Sequence, residues 1–183
     1  MRSKLGFTLI ELLVASAIGA IVVAVTGPAV FQVLTGIKGN NNRFTSLHQV
    51  QQAGAWISRD GLRAASMTVP EGNGLPLTLV WGALWPQGQD NVSTVHTVVY
   101  TLEGDRLQRQ EHLETTVYDS RGNQQGATTV TDTTTVVAQY VVSAVVSWND
   151  GKLQVTLAAR RSSSGSKYAE EIETYETTPR VGW

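Results

Sequence analysis

Phe7–Val25 reads FTLIELLVASAIGAIVVAV, nineteen residues with one charge, Glu11. As an α-helix this run spans about 28 Å, close to the ~30 Å hydrocarbon core of a bilayer. Of the chain's 14 basic and 15 acidic residues, only Arg2, Lys4 and Glu11 precede Lys38. The chain therefore divides into an apolar anchor and a water-soluble body. Arg2 and Lys4 bias the N-terminus to the cytoplasmic side and send the body outward, which predicts a single-pass membrane protein. A cleaved secretory signal would have a 7–15-residue apolar core ending in a small-residue cleavage site. This run is longer, and it continues past Gly27-Pro28 into Ala29–Leu34.

Within the anchor, Glu11 stands out, because a carboxylate in an apolar helix costs a few kcal/mol. Two readings are open. Lying near the end of the run, it reaches the interface by snorkelling, or it awaits a cation supplied by an assembled partner. Ser16, Ala20 and Ala24 recur at four-residue spacing. Such a stripe lets helices approach closely in lipid, and it is equally the ordinary composition of a membrane helix. Pro28 removes one helical hydrogen bond and predicts a kink or local melting.

The string Gly6-Phe7-Thr8-Leu9-Ile10-Glu11-Leu12-Leu13-Val14, after the short basic leader Met1-Arg2-Ser3-Lys4-Leu5, resembles the N-terminal motif of bacterial type IV pilins and pseudopilins. The resemblance implies cleavage after Gly6 by a prepilin peptidase and N-methylation of Phe7. Glu11 then becomes the fifth mature residue, available to the new amine of a neighbouring subunit during assembly. It also implies that Pro28 is the family's helix-kinking proline. The implied partners are other pilin or pseudopilin subunits, the prepilin peptidase, an inner-membrane assembly platform and membrane lipid, with no cofactor. The implied fold is α+β, with the C-terminal half of a long N-terminal helix packed on an antiparallel β-sheet. Trp56–Ala65, Tyr100–Arg109 and Val145–Leu157 are more loosely similar to J-type minor pseudopilins of type II secretion and related minor pilins. The expected organisation is a leader over 1–6, a transmembrane assembly helix over 7–34 and a pilin-like body over 35–183.

Beyond Leu34, two glycines and three asparagines between Gly36 and Asn42 predict a break. Helical spacing resumes at Phe44, Leu47, Val50, Ala53 and Ile57, predicting a second helix over about 42–66. From Met67 the texture is β. Strands are expected at Leu77–Trp81, Val95–Leu102, Arg106–Leu113 with Thr115–Tyr118 as an extension, Val136–Val142, Ala144–Trp148 and Leu153–Ala159. Loops are expected at Trp85–Asn91, Asp119–Asn123 and Ser162–Lys167. Glu103-Gly104-Asp105 and Asn149-Asp150-Gly151 carry hairpin-turn chemistry. Thr-rich Ala127–Thr135 suits an exposed strand or edge. Tyr168–Tyr175 forms a last strand or helix.

Nothing converges on catalysis. The chain has 183 residues and no cysteine, which excludes disulfides, thiolate metal sites and a Cys nucleophile. His48, His96 and His112 lack ligand spacing, and no hydrolase, zinc-protease or P-loop motif occurs. Glu170, Glu171, Glu173 and Glu176 read as a solvated acidic face in preference to a calcium site. After residue 6, 12 Lys and Arg face 15 Asp and Glu, too few for a nucleic-acid groove. Arg59, Asp60, Arg63 and Arg109 read as solvated surface or a helix-end ion pair. Trp56 and Trp148 have core-like neighbours. The reading is therefore a structural minor subunit of a type IV pilus or type II secretion pseudopilus, and not an enzyme. The alternative is a pilin-anchored module binding DNA, polysaccharide or secreted substrate, for which loop residues Trp85 and Trp183 are the support.

Overall fold

The computed structural model describes residues 8–72, 74–87, 90–161 and 169–179. Helix α1 runs from Leu9 to Arg63 without interruption, about 80 Å at the standard rise. Its residues 9–38 are exposed along their whole length. It is the one helix among the described residues long and apolar enough to cross a membrane. The second half buries a stripe at three- and four-residue spacing: Asn42, Ser46, Val50, Ala53, Gly54, Ile57, Asp60 and Gly61. The break expected over 36–42 is absent. Two glycines cost about 1 kcal/mol each, whereas two extra helix ends would expose up to eight backbone groups. Packing also begins inside the weak segment, at buried Asn42. Local melting at Pro28 is absent too, since helix continues on both sides of it.

Among the described residues eight antiparallel strands follow, and the expected sheet is divided into two. β1 (Ser66–Thr68), β2 (Leu77–Gln87), β3 (Asp90–Glu103), β4 (Arg106–Tyr118) and β5 (Thr129–Ala138) form a meander in sequence order. β6 (Val141–Asn149), β7 (Lys152–Arg161) and β8 (Ala169–Thr177) form a three-stranded sheet. The division falls inside the run Val136–Val142, expected as one strand. Tyr140 takes φ +62 there, and its ring lies 5.2 Å from the Arg161 guanidinium. The Gln49 side chain on α1 accepts the Gln139 N–H at 2.6 Å.

Both hairpin turns form as expected. Glu103 pairs with Arg106 across a loop whose Gly104 has φ +62. Asn149 pairs with Lys152 across Asp150 and Gly151, both at positive φ, as a type I′ turn requires. The Thr-rich segment is an edge strand, and Ala169–Thr177 is a strand. β2 and β3 are longer than expected and take up most of the loop placed at Trp85–Asn91. Pro86 is tolerated because β1 covers β2 only over Thr78–Val80, so the missing N–H interrupts no ladder on that side. The 162–167 loop lies outside the described residues.

The core joins Val50, Ala53 and Ile57 of α1 to inward-facing residues of both sheets, including Leu77, Leu79, Val98, Tyr100, Leu107, Val146, Leu153, Val155 and Leu157. Helix α1 packs chiefly on β8 and β7. Two glycines set that approach. A Cβ on Gly54 would clash with the Tyr175 ring, and one on Gly61 would lie 2.8 Å from Thr177 Cγ2. Trp56 is half-buried, whereas Trp148, expected in the core, is 39% exposed. It lies on β6 next to the turn at Asp150 and lines an open recess with Ser66, Met67 and Val69.

Gly54→Ala should therefore lower stability by about 1–3 kcal/mol through overpacking. Gly39→Ala, with open space around its Cβ, should raise it by about 0.5–1 kcal/mol. Thermal unfolding of the purified full chain in detergent, followed by circular dichroism, reads both.

Candidate functional site

The helix start is a closed local arrangement. Thr8 is the N-cap and Glu11 the third helical residue. The Glu11 N–H donates to Thr8 Oγ1 at 3.4 Å. The Thr8 N–H and the Thr8 hydroxyl each donate to Glu11 Oε2 at 2.9 Å. This is a capping box, for which the spacing Thr8-x-x-Glu11 is the sequence signal. It gives Glu11 a role within its own chain, because two backbone donors at the helix start find acceptors. The carboxylate remains exposed on the same helix face as Ile10, Val14, Ala15 and Ile18. Gly6 and Phe7 lie outside the described residues.

Ser16, Ala20 and Ala24 are exposed. The Ser16 hydroxyl donates back to the Leu13 carbonyl at 2.9 Å, so it is satisfied in an apolar medium without a partner helix. A Cβ at Gly19 or Gly27 would meet nothing. The anchor thus presents a slim, internally satisfied surface, suited to close helix packing.

A second cluster lies at the other end of α1, and here the expectation of solvated surface is overturned for Asp60 and Arg109. Asp60 is 1% and Arg109 6% exposed. Arg109 Nε donates to Asp60 Oδ2 at 2.7 Å, and so does the Tyr100 hydroxyl. Arg109 Nη1 donates to Glu111 Oε2 at 2.7 Å. His96 Nδ1 lies 2.7 Å from Glu111 Oε1, with its ring stacked on Trp81. The guanidiniums of Arg59 and Arg109 lie 3.9 and 5.2 Å from the Trp56 ring centroid. One buried network thus ties the end of α1 to β3 and β4. The helix-end ion pair is real, but its partners are 49 residues apart.

These contacts move the titrations of the network. Burial raises the Tyr100 hydroxyl well above its ordinary value, and the neighbouring Asp60 charge adds to that. For Glu111, burial pushes upward, but hydrogen bonds from Arg109 and then His96 outweigh it and hold the carboxyl below its ordinary value. Burial works against the Arg109 charge, and the bonds to Asp60 and Glu111 overcome it. Both bonds to Asp60 fall on Oδ2; its buried Oδ1 has no hydrogen-bond partner and faces Arg59 Nε at 3.9 Å.

The acidic residues of β8 divide. Glu171 pairs with Arg43 at 2.6 Å and Glu176 with Lys152 at 3.6 Å. Among the described residues no group of three or more His, Asp or Glu is placed to hold a metal. Trp183 lies outside the described residues.

Residues 1–27 match the family model of the prokaryotic N-terminal methylation motif. The match takes in the basic leader, Gly6, Phe7 and Glu11, and ends one residue before Pro28. No curated protein and no solved structure matches the chain. The motif, the exposed apolar helix and the α+β body together support a type IV pilin-like subunit anchored in a membrane.

Removing one partner of a buried pair strands the other charge, at about 3–5 kcal/mol. Asp60→Asn and Arg109→Met should each lose that order of stability. Their double variant should lose less than the sum, with a coupling of about 0.5–3 kcal/mol in a double-mutant cycle. Acid should loosen the same joint. The Glu111 contribution is fully present above the unfolded carboxylate value of about 4.3 and is lost as pH falls through the lower folded value. Urea midpoints measured between pH 6 and 3 should fall more steeply for the parent chain than for Glu111→Gln.

Proposed function

We propose that the chain is a structural minor subunit of a type IV pilus or type II secretion pseudopilus, inserted through α1 and taking part in filament assembly or priming. The observation that carries the reading is the methylation motif placed at the start of an exposed apolar helix, with Glu11 at that helix's first turn. In this reading residues 1–6 are a cytoplasmic leader, removed by prepilin peptidase after Gly6, and Phe7 becomes the N-methylated mature terminus. Residues 7–34 sit in the inner membrane and then in the filament core, and 35–183 form the extracytoplasmic body.

The chemistry follows from the dielectric. Cleavage creates an α-amino group one residue before the Thr8 cap. In a water-poor helix bundle an unpaired carboxylate is costly. Glu11 gains by accepting the amine of a neighbouring subunit, and only one axial register brings the two together. The pair then acts as a register device in place of a glue. Ser16, Ala20 and Ala24 supply the close approach, and Pro28 supplies a place where the rod can bend. The inner-membrane assembly platform is the partner that would move subunits from bilayer to filament. The Asp60–Arg109–Tyr100 network joins α1 to β3 and β4 and so supports a body built to hold its shape.

Two measurements test this. Mass spectrometry of the mature N-terminus, from membranes with and without a prepilin peptidase, should show peptidase-dependent loss of Met1–Gly6 and one methyl group on Phe7. An intact leader in both samples would defeat the reading. Glu11→Ala should cut incorporation into sheared filaments at least tenfold while the body stays folded. Unchanged incorporation would remove the role given to Glu11.

A further inference from the structure

A sheet edge is a template for another strand, and proteins protect edges by shortness, charge, bulges, proline or a covering element. Most edges here carry such a device. β1 has three residues. The open part of β2 beyond Val80 contains Pro86. β6 opens with a register shift at Val141/Ser143, and along it Ala144 and Trp148 line recesses shared with Leu75 and Pro76 and with Met67 and Val69. β8 lies against α1 and carries Glu170, Glu171, Glu173 and Glu176.

β5 differs. It has ten residues, TVTDTTTVVA, without Lys, Arg or Pro. Eight of them are β-branched, the residues that favour strand pairing. Thr129–Thr134 are exposed on both faces, and among the described residues neither helix nor loop covers them. The irregularity in its pairing with β4 falls at Leu107/Gln108, beyond this stretch. Its one charge, Asp132, is taken up by His112 Nδ1 at 2.6 Å.

We propose that β5 is the docking edge for a second copy of this chain, the two β5 strands pairing antiparallel about a two-fold axis at Thr133. The sequence is self-complementary in that register. Val130 and Val136, 50% and 41% exposed, lie on one face. Each would stand opposite the other's counterpart in the second copy. Thr131 would face Thr135, and Asp132 would face Thr134, so no like charges stand opposite each other. Pairs of β-branched residues on adjacent strands are favourable, and an isologous contact of this kind closes at the dimer. The two meanders would become one continuous sheet. A foreign extended peptide would meet the same backbone groups, but it would not inherit this side-chain match.

The chain has no cysteine, so one introduced thiol is a clean reporter. Directly opposed residues in antiparallel strands have Cα atoms about 4.5–5.5 Å apart, within disulfide reach. Full-length Thr133→Cys, mildly oxidised in membranes, should form a homodimer at least tenfold faster than Val145→Cys, an exposed control on β6. Adding Val130→Lys with Val136→Lys sets like charges opposite and should slow cross-linking at least tenfold. Val130→Lys with Val136→Glu should restore it. In parallel, sedimentation of the parent chain in detergent should give a dimer mass that the double-lysine variant loses. Equal cross-linking at 133 and 145, insensitivity to the lysine pair, a monomeric parent chain, or cross-linking to a different protein in place of a homodimer would each overturn the proposal.

Discussion

The Asp60–Arg109 pair is the constraint on which the arrangement of the body depends. Helix α1 meets the three-stranded sheet by close approach, with Gly54 under the Tyr175 ring and Gly61 under Thr177. Apolar contact of that kind is strong but non-directional. The five-stranded sheet is held differently. A buried carboxylate on the last turn of α1 requires Arg109 from β4 and the hydroxyl of Tyr100 from β3. Sliding the meander along the helix by one residue would strand both charges. The pair need not add net stability, since an apolar replacement of equal volume could match it. What it adds is direction, because it admits one placement of the large sheet on the helix.

The other half of α1 poses the opposite problem. Its residues 9–38 bury nothing against the body, and an apolar rod of that length is not sustained by water. Its one carboxylate and its hydroxyls are answered locally. Thr8 and Glu11 close on each other, and the Ser16, Thr26 and Thr35 hydroxyls donate back to carbonyls one turn earlier. That is what a hydrocarbon surrounding demands, because every unsatisfied group there costs several kcal/mol. Glu11 is the exception, for its capping bonds leave a net charge uncompensated.

Legibility in the sequence followed the range of the interactions. The α+β class, the order of elements, the turns at Gly104 and Asp150-Gly151, the edge character of the Thr-rich segment and the motif around Gly6, Phe7 and Glu11 are all written in short stretches. The capping box is equally local, carried by the spacing of Thr8 and Glu11. The continuity of α1 through Gly36–Asn42 was hidden, since its support comes from β strands far along the chain. The burial of Asp60 and Arg109 was hidden for the same reason. Each residue alone looks like surface, and only the register that sets Tyr100 opposite Arg109 makes a buried site of them. Gly54 likewise looks like a weak helical residue until Tyr175 is placed over it.

An uninterrupted helix changes what these two ends can do for each other. Forty-nine residues separate Glu11 from Asp60, about 74 Å of helix at the standard rise. If the segment over 36–42 were a loose linker, the body could take any orientation relative to the anchor, and register fixed at Glu11 would say nothing about the sheets. With helix throughout, rotation and translation at the first turn are transmitted to the body. Pro28 and the glycines at 36 and 39 are where compliance is concentrated, and all three lie before the buried stripe begins at Asn42. Bending there tilts the body as one piece without disturbing the Asp60 joint. The chain thus combines a compliant middle with a fixed joint at Asp60, so the anchor can bend while the sheets keep one geometry on the helix.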